Sequence, residues 1–310
     1  ACLAILSADT KAQTYPTRPI RIIALSAPGS GPDIVGPVIG SKLTEAWGQQ
    51  VIVDTRPAAT GIVGSEIAAR AAPDGHTLVI ITSQAVIVSV MYDKLNYDLI
   101  RDFAPVTYVA STPFILAVNP SVAATSVKEL VALAKAKPGQ LRYGSGGSGS
   151  PPHLSAEMFR AMTGIEVLHV PYKGITPAMI DTVSGQVQFL ISVIPAVLPT
   201  VKSGKLRALG VTSAKRTALF PEIPTIAETV PGYEFIGWYS IFAPAKTSPV
   251  IVNKLNAAIG RALRSPEFKD RLTALGAEPG SSTPQELAAY LRAQQNKMRK
   301  AVKDSGAKPD

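Results

Sequence analysis

Apolar positions along this chain switch between two spacings. Runs such as Ile20-Arg21-Ile22-Ile23-Ala24-Leu25, Val51-Ile52-Val53-Asp54 and Thr77-Leu78-Val79-Ile80-Ile81-Thr82-Ser83 are short, nearly continuous and rich in β-branched residues. That is the pattern of strands buried on both faces. Further extended segments are expected at 103–109, 114–118, 166–170, 187–192 and 206–212. Between them apolar residues recur at helical spacing over 34–43, 62–72, 126–137 and 153–163, with a short helix after Pro195. Beyond Thr212 the pattern reads as largely helical, with Ser248-Pro249 opening one helix to about Ser265 and Thr283-Pro284-Gln285-Glu286 opening a long last one to about Lys303. Ser126-Val127-Lys128-Glu129 has the form of a capping box. Strands alternating with helices predict an α/β fold.

Three junctions share one design of strand, glycine-bearing turn and helix start. The most pronounced is Leu141 to Leu154, where Gly144, Gly146, Gly147 and Gly149 alternate with Ser145, Ser148 and Ser150 before Pro151-Pro152-His153. Glycines let the backbone approach a guest closely, the hydroxyls donate or accept, and the first-turn amides of the following helix favour an anion. No Gly-Lys-Ser/Thr ends this loop, so nothing points to a nucleotide. The second junction is Ser26-Ala27-Pro28-Gly29-Ser30-Gly31-Pro32-Asp33, in which Asp33 fits an N-cap as well as a ligand contact. The third is Pro171-Tyr172-Lys173-Gly174-Ile175-Thr176-Pro177, with Thr176 and Pro177 as cap and first-turn pair. Ser83 and Ser192 stand at strand ends, where open α/β sheets bind ligands.

The length of 310 residues suits two domains, and 46% hydrophobic against 17% charged residues makes the chain globular. A formal charge of +9 favours anionic partners. Aromatics are only 6% and the basic residues are spread along helices, which argues against nucleic acid and for a small carboxylate. Cys2 is the only cysteine and the histidines His76, His153 and His169 lie far apart, so neither a disulfide nor a metal or other cofactor is expected. No apolar run reaches the roughly 20 residues that span a bilayer. Residues 1–13 read as the remnant of a secretory signal peptide, with cleavage near Thr10-Lys11-Ala12.

The serines raise the possibility of a hydrolase acting through Ser145, Ser148 or Ser83. No Gly-x-Ser-x-Gly elbow joins a strand to a helix as that chemistry requires. His153, at a helix start, should stay neutral and can donate to an oxygen. It fits equally a packing role on the Pro-Pro turn. His76 reads as an exposed loop residue, His169 as a core or flank residue, and Trp47 and Trp238 as packing residues. Lys173 can pair with an anion and Tyr172 can wall a site.

Several segments stand in an order that resembles one family: Pro16-Thr17-Arg18-Pro19-Ile20, Asp54-Thr55-Arg56-Pro57, Ala72-Pro73-Asp74-Gly75, Asp102-Phe103-Ala104-Pro105-Val106, Tyr143-Gly144-Ser145-Gly146, Pro151-Pro152-His153-Leu154, Val170-Pro171-Tyr172-Lys173-Gly174, Gly204-Lys205-Leu206-Arg207-Ala208-Leu209 and Pro221-Glu222-Ile223-Pro224-Thr225. The chain resembles the Bug-type, TctC-like solute receptors of tripartite tricarboxylate transporters over nearly all its length after Tyr15. The resemblance implies a non-enzymatic, periplasmic, monomeric two-lobed binding protein of the Venus flytrap kind, type II-like. One lobe would be 14–110 with 222–310, and the other 111–221. It implies a small organic carboxylate held between the lobes by Ala27, Pro28, Gly29, Ser30, Gly31 and Asp33 on one side. Opposite would stand Ser83, Gly144, Ser145, Gly146, Ser148, His153, Tyr172, Lys173, Gly174 and Ser192. It further implies membrane permease subunits as partners; a sensory receptor for a membrane kinase would share the fold. The sequence departs from the family pattern at Ser30, Pro32 and Pro37. Ser192 stands where many members carry Asp, a partner for a ligand's ammonium group. A ligand without an amine is therefore expected.

Overall fold

The structure, a computed structural model, describes residues 15–25, 31–56, 58–217 and 220–308. The expected signal segment and the residues Ala27, Pro28, Gly29 and Ser30 lie outside these. The elements run β1 (Ile20–Ala24), α1 (Gly31–Trp47), β2 (Val51–Thr55), α2 (Ile62–Ala69), β3 (Thr77–Thr82), α3 (Ser83–Met91), β4 (Phe103–Val118), α4 (Val127–Ala136), β5 (Arg142–Ser145) and α5 (Pro151–Thr163). They continue with β6 (Leu168–Pro171), α6 (Ile175–Val183), β7 (Phe189–Val193), α7 (Ile194–Lys202), β8 (Arg207–Val211), β9 (Ile236–Pro244), α8 (Pro249–Leu263), α9 (Pro266–Ala274), β10 (Glu278–Pro279) and α10 (Pro284–Ser305).

The strands follow the order β2-β1-β3-β9-β4-β7-β5-β6, with β8 and β10 also pairing with β4. Each end of this order is a parallel triplet, β2-β1-β3 on one side and β7-β5-β6 on the other. The antiparallel pair β9-β4 joins them. Strand β4 belongs to both halves: Phe103 to Pro113 pair with β9, and Phe114 to Val118 pair with β7 and β8. The register then dictates the geometry of the whole molecule. Thr82, the last residue of β3, pairs with Tyr239, which pairs with Ala110. Val193, the last residue of β7, pairs with Phe114, and β7 runs opposite to β4. The C-terminal ends of the two triplets therefore meet head-on at the level of residues 110–114. The result is a two-lobed α/β fold with a crevice at that line.

Both faces of the sheet are covered, as the near-continuous apolar strands predict. Ile20, Ile22, Leu78 and Ile80 pack with Val35, Ile39, Leu255 and Ile259 of α1 and α8. Ile23, Val79 and Ile81 face the other way, into a core that also holds Phe114, Tyr143, Phe159, Phe189, Trp238 and Leu291. That core runs through both halves, and α10 lies along it, packing on α3 as well as on α5. Ile115, Leu190, Val197 and Val211 form a third cluster on the outer face of the second half.

Several elements differ from expectation for identifiable reasons. The two extended segments around 103–118 are one strand, because Pro113 sits at the changeover where pairing passes from β9 to β7 and needs no ladder donor there. Strand β9 was not expected at all, although Phe235-Ile236-Gly237-Trp238-Tyr239-Ser240-Ile241-Phe242 is dense in β-formers. Helix α3 overrides the β-branched run Val86-Ile87-Val88 because all three side chains find core neighbours. Helix α6 starts at Ile175, one residue before the Thr176-Pro177 pair, since Gly174 takes a φ of 107° and turns the chain first. At α4 only half of the expected box forms: Ser126 accepts from the Glu129 amide, while the Glu129 carboxylate takes the Thr125 amide and hydroxyl instead. His76 is buried, its Nε2 accepting from the Thr17 amide at 3.3 Å.

The return crossing from the second half to the first is tied by charge. Arg216 holds Glu228 through Nε to Oε1 and Nη2 to Oε2, each 2.8 Å, and the Thr225 amide donates to the same carboxylate at 3.1 Å. The Arg216 hydrogen bonds lower the Glu228 pKa from its usual 4.5 to about 2. A carboxyl depressed in this way stabilises the fold above its unfolded value and loses that contribution as pH falls through the folded one. The urea midpoint of the wild type is therefore expected to fall more steeply between pH 4.5 and 2 than that of Glu228→Gln. Parallel curves would show that the pair contributes nothing.

Candidate functional site

Five helices begin at the line where the strand ends meet: α1 after β1, α3 after β3, α5 after β5, α6 after β6 and α7 after β7. Residues from the first turns of all five wall one cavity of about 710 Å³: Gly31 and Pro32, Ser83 and Gln84, Pro151 and Pro152, Ile175 and Thr176, Pro195 and Ala196. Its floor comes from Thr112 and Phe114 of β4 and from Gly237, Trp238 and Tyr239 of β9, with Val193 and Leu275 at the side. Both halves contribute, and the size suits a small organic molecule. No charged side chain lines it among the described residues.

The helix starts are not equivalent. None of α3, α6 and α7 has a side-chain cap, so their first-turn amides, less those missing at Pro177 in α6 and Pro195 in α7, are left for solvent or a guest. The α5 start is different. Pro151 and Pro152 have no N–H, the His153 amide donates to Ser150 Oγ at 3.3 Å, and the Leu154 amide to the Ser150 carbonyl. The free amides expected there are thus absent, and α5 offers proline rings and the positive end of its dipole. Tyr239 supplies a donor the sequence pattern missed. Burial, with the nearby Tyr108 charge, pushes its pKa up to about 12, so it keeps its proton at neutral pH. Its hydroxyl has no hydrogen-bond partner among the described residues and lies 2.2 Å from where a Gly31 side chain would begin. Glycine at 31 is what lets α1 approach the ring.

The Ser145 to Ser150 loop is a support behind this wall. Ser145 is fully buried, its Oγ 2.6 Å from His169 Nε2 and 3.2 Å from the Gly147 amide. His169 is sandwiched between Tyr143, with ring centroids 4.9 Å apart, and His153, at 4.1 Å. His153 Nδ1 accepts from the Gly149 amide at 3.0 Å, and the Gly149 carbonyl accepts from Gln84 Nε2 at 3.0 Å across the crevice. Tyr143 donates to Glu157 at 2.5 Å, which in turn holds Arg160. A serine without exposed surface that anchors its own loop is not placed to attack a substrate. His169, read as a flank residue, is the pivot of this stack.

Of the expected site residues, Gly31 and Ser83 line the cavity. Gly144 and Gly146 lie one layer behind, where side chains would press on Ala178 at 3.2 Å and on Gly174 at 3.4 Å. Tyr172 donates to Asp181 at 2.7 Å; burial and that carboxylate push its pKa up to about 12. Lys173 is exposed and Gly174 caps α6. Asp33 is in the first turn of α1, not its N-cap, and accepts from Thr55 Oγ1 at 3.1 Å. Ser148 lies in the supporting loop, outside the lining residues. Ser192 is fully buried on the strand face opposite Val193, and its Oγ finds no hydrogen-bond partner among the described residues. Apart from Gly31 and Ser83, the expected residues that the structure describes stand beside the cavity, which is lined by the helix starts that follow them.

Residues 36–307 match the family model described as tripartite tricarboxylate transporter family receptor. The chain is 36% identical to Protein BugT of Bordetella pertussis, over 98% of this chain and 94% of that one. Among solved structures it is similar to R. palustris Rpa4515 with adipate, at 35% identity and TM-score 0.84, covering 96% of this chain and all of that one. MatC from Rhodopseudomonas palustris, with bound malate, superposes at TM-score 0.79 and 28% identity over 93% of this chain and all of that one.

Replacing Ser145 by Ala removes the buried hydroxyl to which the half-buried Gly147 amide and His169 Nε2 bond, which is expected to cost about 1–3 kcal/mol in urea denaturation. Hydrolysis of a p-nitrophenyl ester by the wild type, lost in Ser145→Ala, would instead make this serine a nucleophile.

Proposed function

The chain belongs to the tripartite tricarboxylate transporter family of receptors, and from that premise we propose that it captures a small organic carboxylate in the periplasm and delivers it to membrane permease subunits. The observation that carries this reading is the cavity wall itself. Uncapped first turns from both halves and the protonated Tyr239 hydroxyl converge on a space with no charged side chain. Oriented amides and hydroxyls of this kind stabilise a carboxylate in place of its water. The overall charge of +9 draws such anions in. With no carboxylate in the lining, nothing there would pair with a ligand ammonium group.

The lobe boundaries we propose are 15–113 with 236–308 for one lobe and 114–235 for the other, instead of 110/111 and 221/222. The change of β4 partners at Pro113 supports the first. For the second, the Phe235 amide bonds to the Thr212 carbonyl and Tyr233 bonds to Ser155 of α5. A guest touching both walls favours the closed arrangement by its differential affinity, and the closed surface is what a permease would read.

Two measurements test this. Calorimetry should give at least tenfold tighter binding for deaminated acids than for the matching amino acids, glutarate against glutamate and 3-phenylpropionate against phenylalanine. Tighter binding of the amino acids would refute the amine-free ligand, and no binding of either kind would refute the receptor. Tyr239→Phe should weaken the carboxylate that binds by about ten- to hundredfold, the range of a hydrogen bond to a charged group, with little change in melting temperature.

A further inference from the structure

We infer that the guest is a monocarboxylate with an apolar alkyl or aryl body, lying with its carboxylate at the β3–α3 corner and its body along β9 toward Phe114 and Leu275. This rests on the receptor reading above and narrows it.

The cavity has two unlike ends. Thr82 pairs with Tyr239, Tyr239 abuts Gly31, and Ser83 and Gln84 follow at the α3 start. The α6 start joins this corner: its Ile175 amide lies 3.4 Å from where a Gly146 side chain would begin, in the loop whose Gly149 carbonyl takes the Gln84 amide. Two residues back along β9, about 7 Å, stands Gly237, and the Phe114 ring reaches within 3.2 Å of its side-chain position. Val193 pairs with Phe114 on the same strand face. Leu275 arrives from the opposite lobe, because the next residue, Gly276, lies against Ile194, which is 3.1 Å from where a Gly276 side chain would begin. Pro195 closes this end as a ring without an N–H, so the uncapped α7 turn keeps only its Ile194 and Ala196 amides there. The one hydroxyl nearby, on Thr112, is turned to the Pro113 and Gly276 carbonyls.

A single carboxylate therefore finds the fuller set of donors at one end, where the uncapped α3 turn, Ser83, Gln84 and Tyr239 stand. A second at the other end would be stripped of water among Phe114, Val193 and Leu275 with no cation to pair with, which is the costly way to bury a charge. Residues 26–30, outside the described ones, read Ser-Ala-Pro-Gly-Ser and contain no basic side chain. The basic residue adjoining the α6 start is Lys173, exposed and outside the lining.

Hexanoate and adipate, six-carbon acids that differ in one terminal carboxylate, decide the matter by calorimetry on the full chain. Hexanoate binding at least tenfold tighter than adipate is the expected result. Adipate binding as tightly or more tightly would overturn the inference and leave the receptor reading standing; loss of that adipate binding in Lys173→Ala would locate the missed cation. Binding of neither acid, nor of 3-phenylpropionate, would sink both. Leu275→Lys should reverse the preference toward adipate by more than tenfold, and an unchanged preference in a variant with wild-type melting would also overturn the placement. Val193→Lys serves the same purpose if the Leu275 variant does not fold.

Discussion

An α-helix cannot satisfy the N–H groups of its own first turn, and the arrangement of this protein follows from where those groups are sent. Parallel strands deliver their helices from one edge, so each triplet has a single donor-bearing edge. Strand β4 is long enough to leave the first triplet and serve the second. Because β7 runs antiparallel to it, the second triplet is inverted and displaced so that its donor edge faces the first. A shorter β4, or a parallel β7, would place the two edges on opposite sides of the molecule. The crevice is thus a consequence of strand direction and register before any side chain is considered.

Side chains decide what that crevice accepts. Proline in the first turns of α5, α6 and α7 withdraws donors on the second lobe, two at α5 and one each at α6 and α7, while α3 keeps all of its own. Behind the wall, the Tyr143-His169-His153 stack and the Ser145 anchor hold the glycine loop in one shape, so its flexibility is confined by hydrogen bonds on both faces. The core shared by both lobes and the lengthwise contact of α10 with α3 and α5 favour a small rocking motion about β4 and β9 over a wide opening.

Much of the architecture was legible in the chain because parallel strands buried on both faces write themselves as apolar runs ending in glycine, serine and proline. The β3 end at Ser83 and the caps at Ser126 and Thr283 followed from local chemistry. Strand β9 was not read, since it lies between segments of helical character and its role depends on pairing with β3 and β4, far away in sequence. With β9 went Tyr239, Trp238 and Gly237, which form the cavity floor. The offset at the other walls has a similar origin: a glycine loop advertises itself by composition, whereas the residue that faces the guest is set by the phase of the helix that follows. Pro151 and Pro152 were read as compatible with free amides, although their chemistry removes two of them outright.

A site built from neutral donors behaves differently from one built on arginine. The +9 charge acts at a distance and is screened by salt, so it governs how often an anion arrives. What happens inside the crevice is settled by groups that do not titrate near neutrality, amides and a tyrosine whose pKa stands at about 12. Such donors can replace the water of one carboxylate but cannot neutralise a second charge buried beyond their reach. On the proposed placement, selectivity arises from what is left unpaired at the far end of the guest, which makes the apolar residues of the floor as decisive for recognition as the donors themselves.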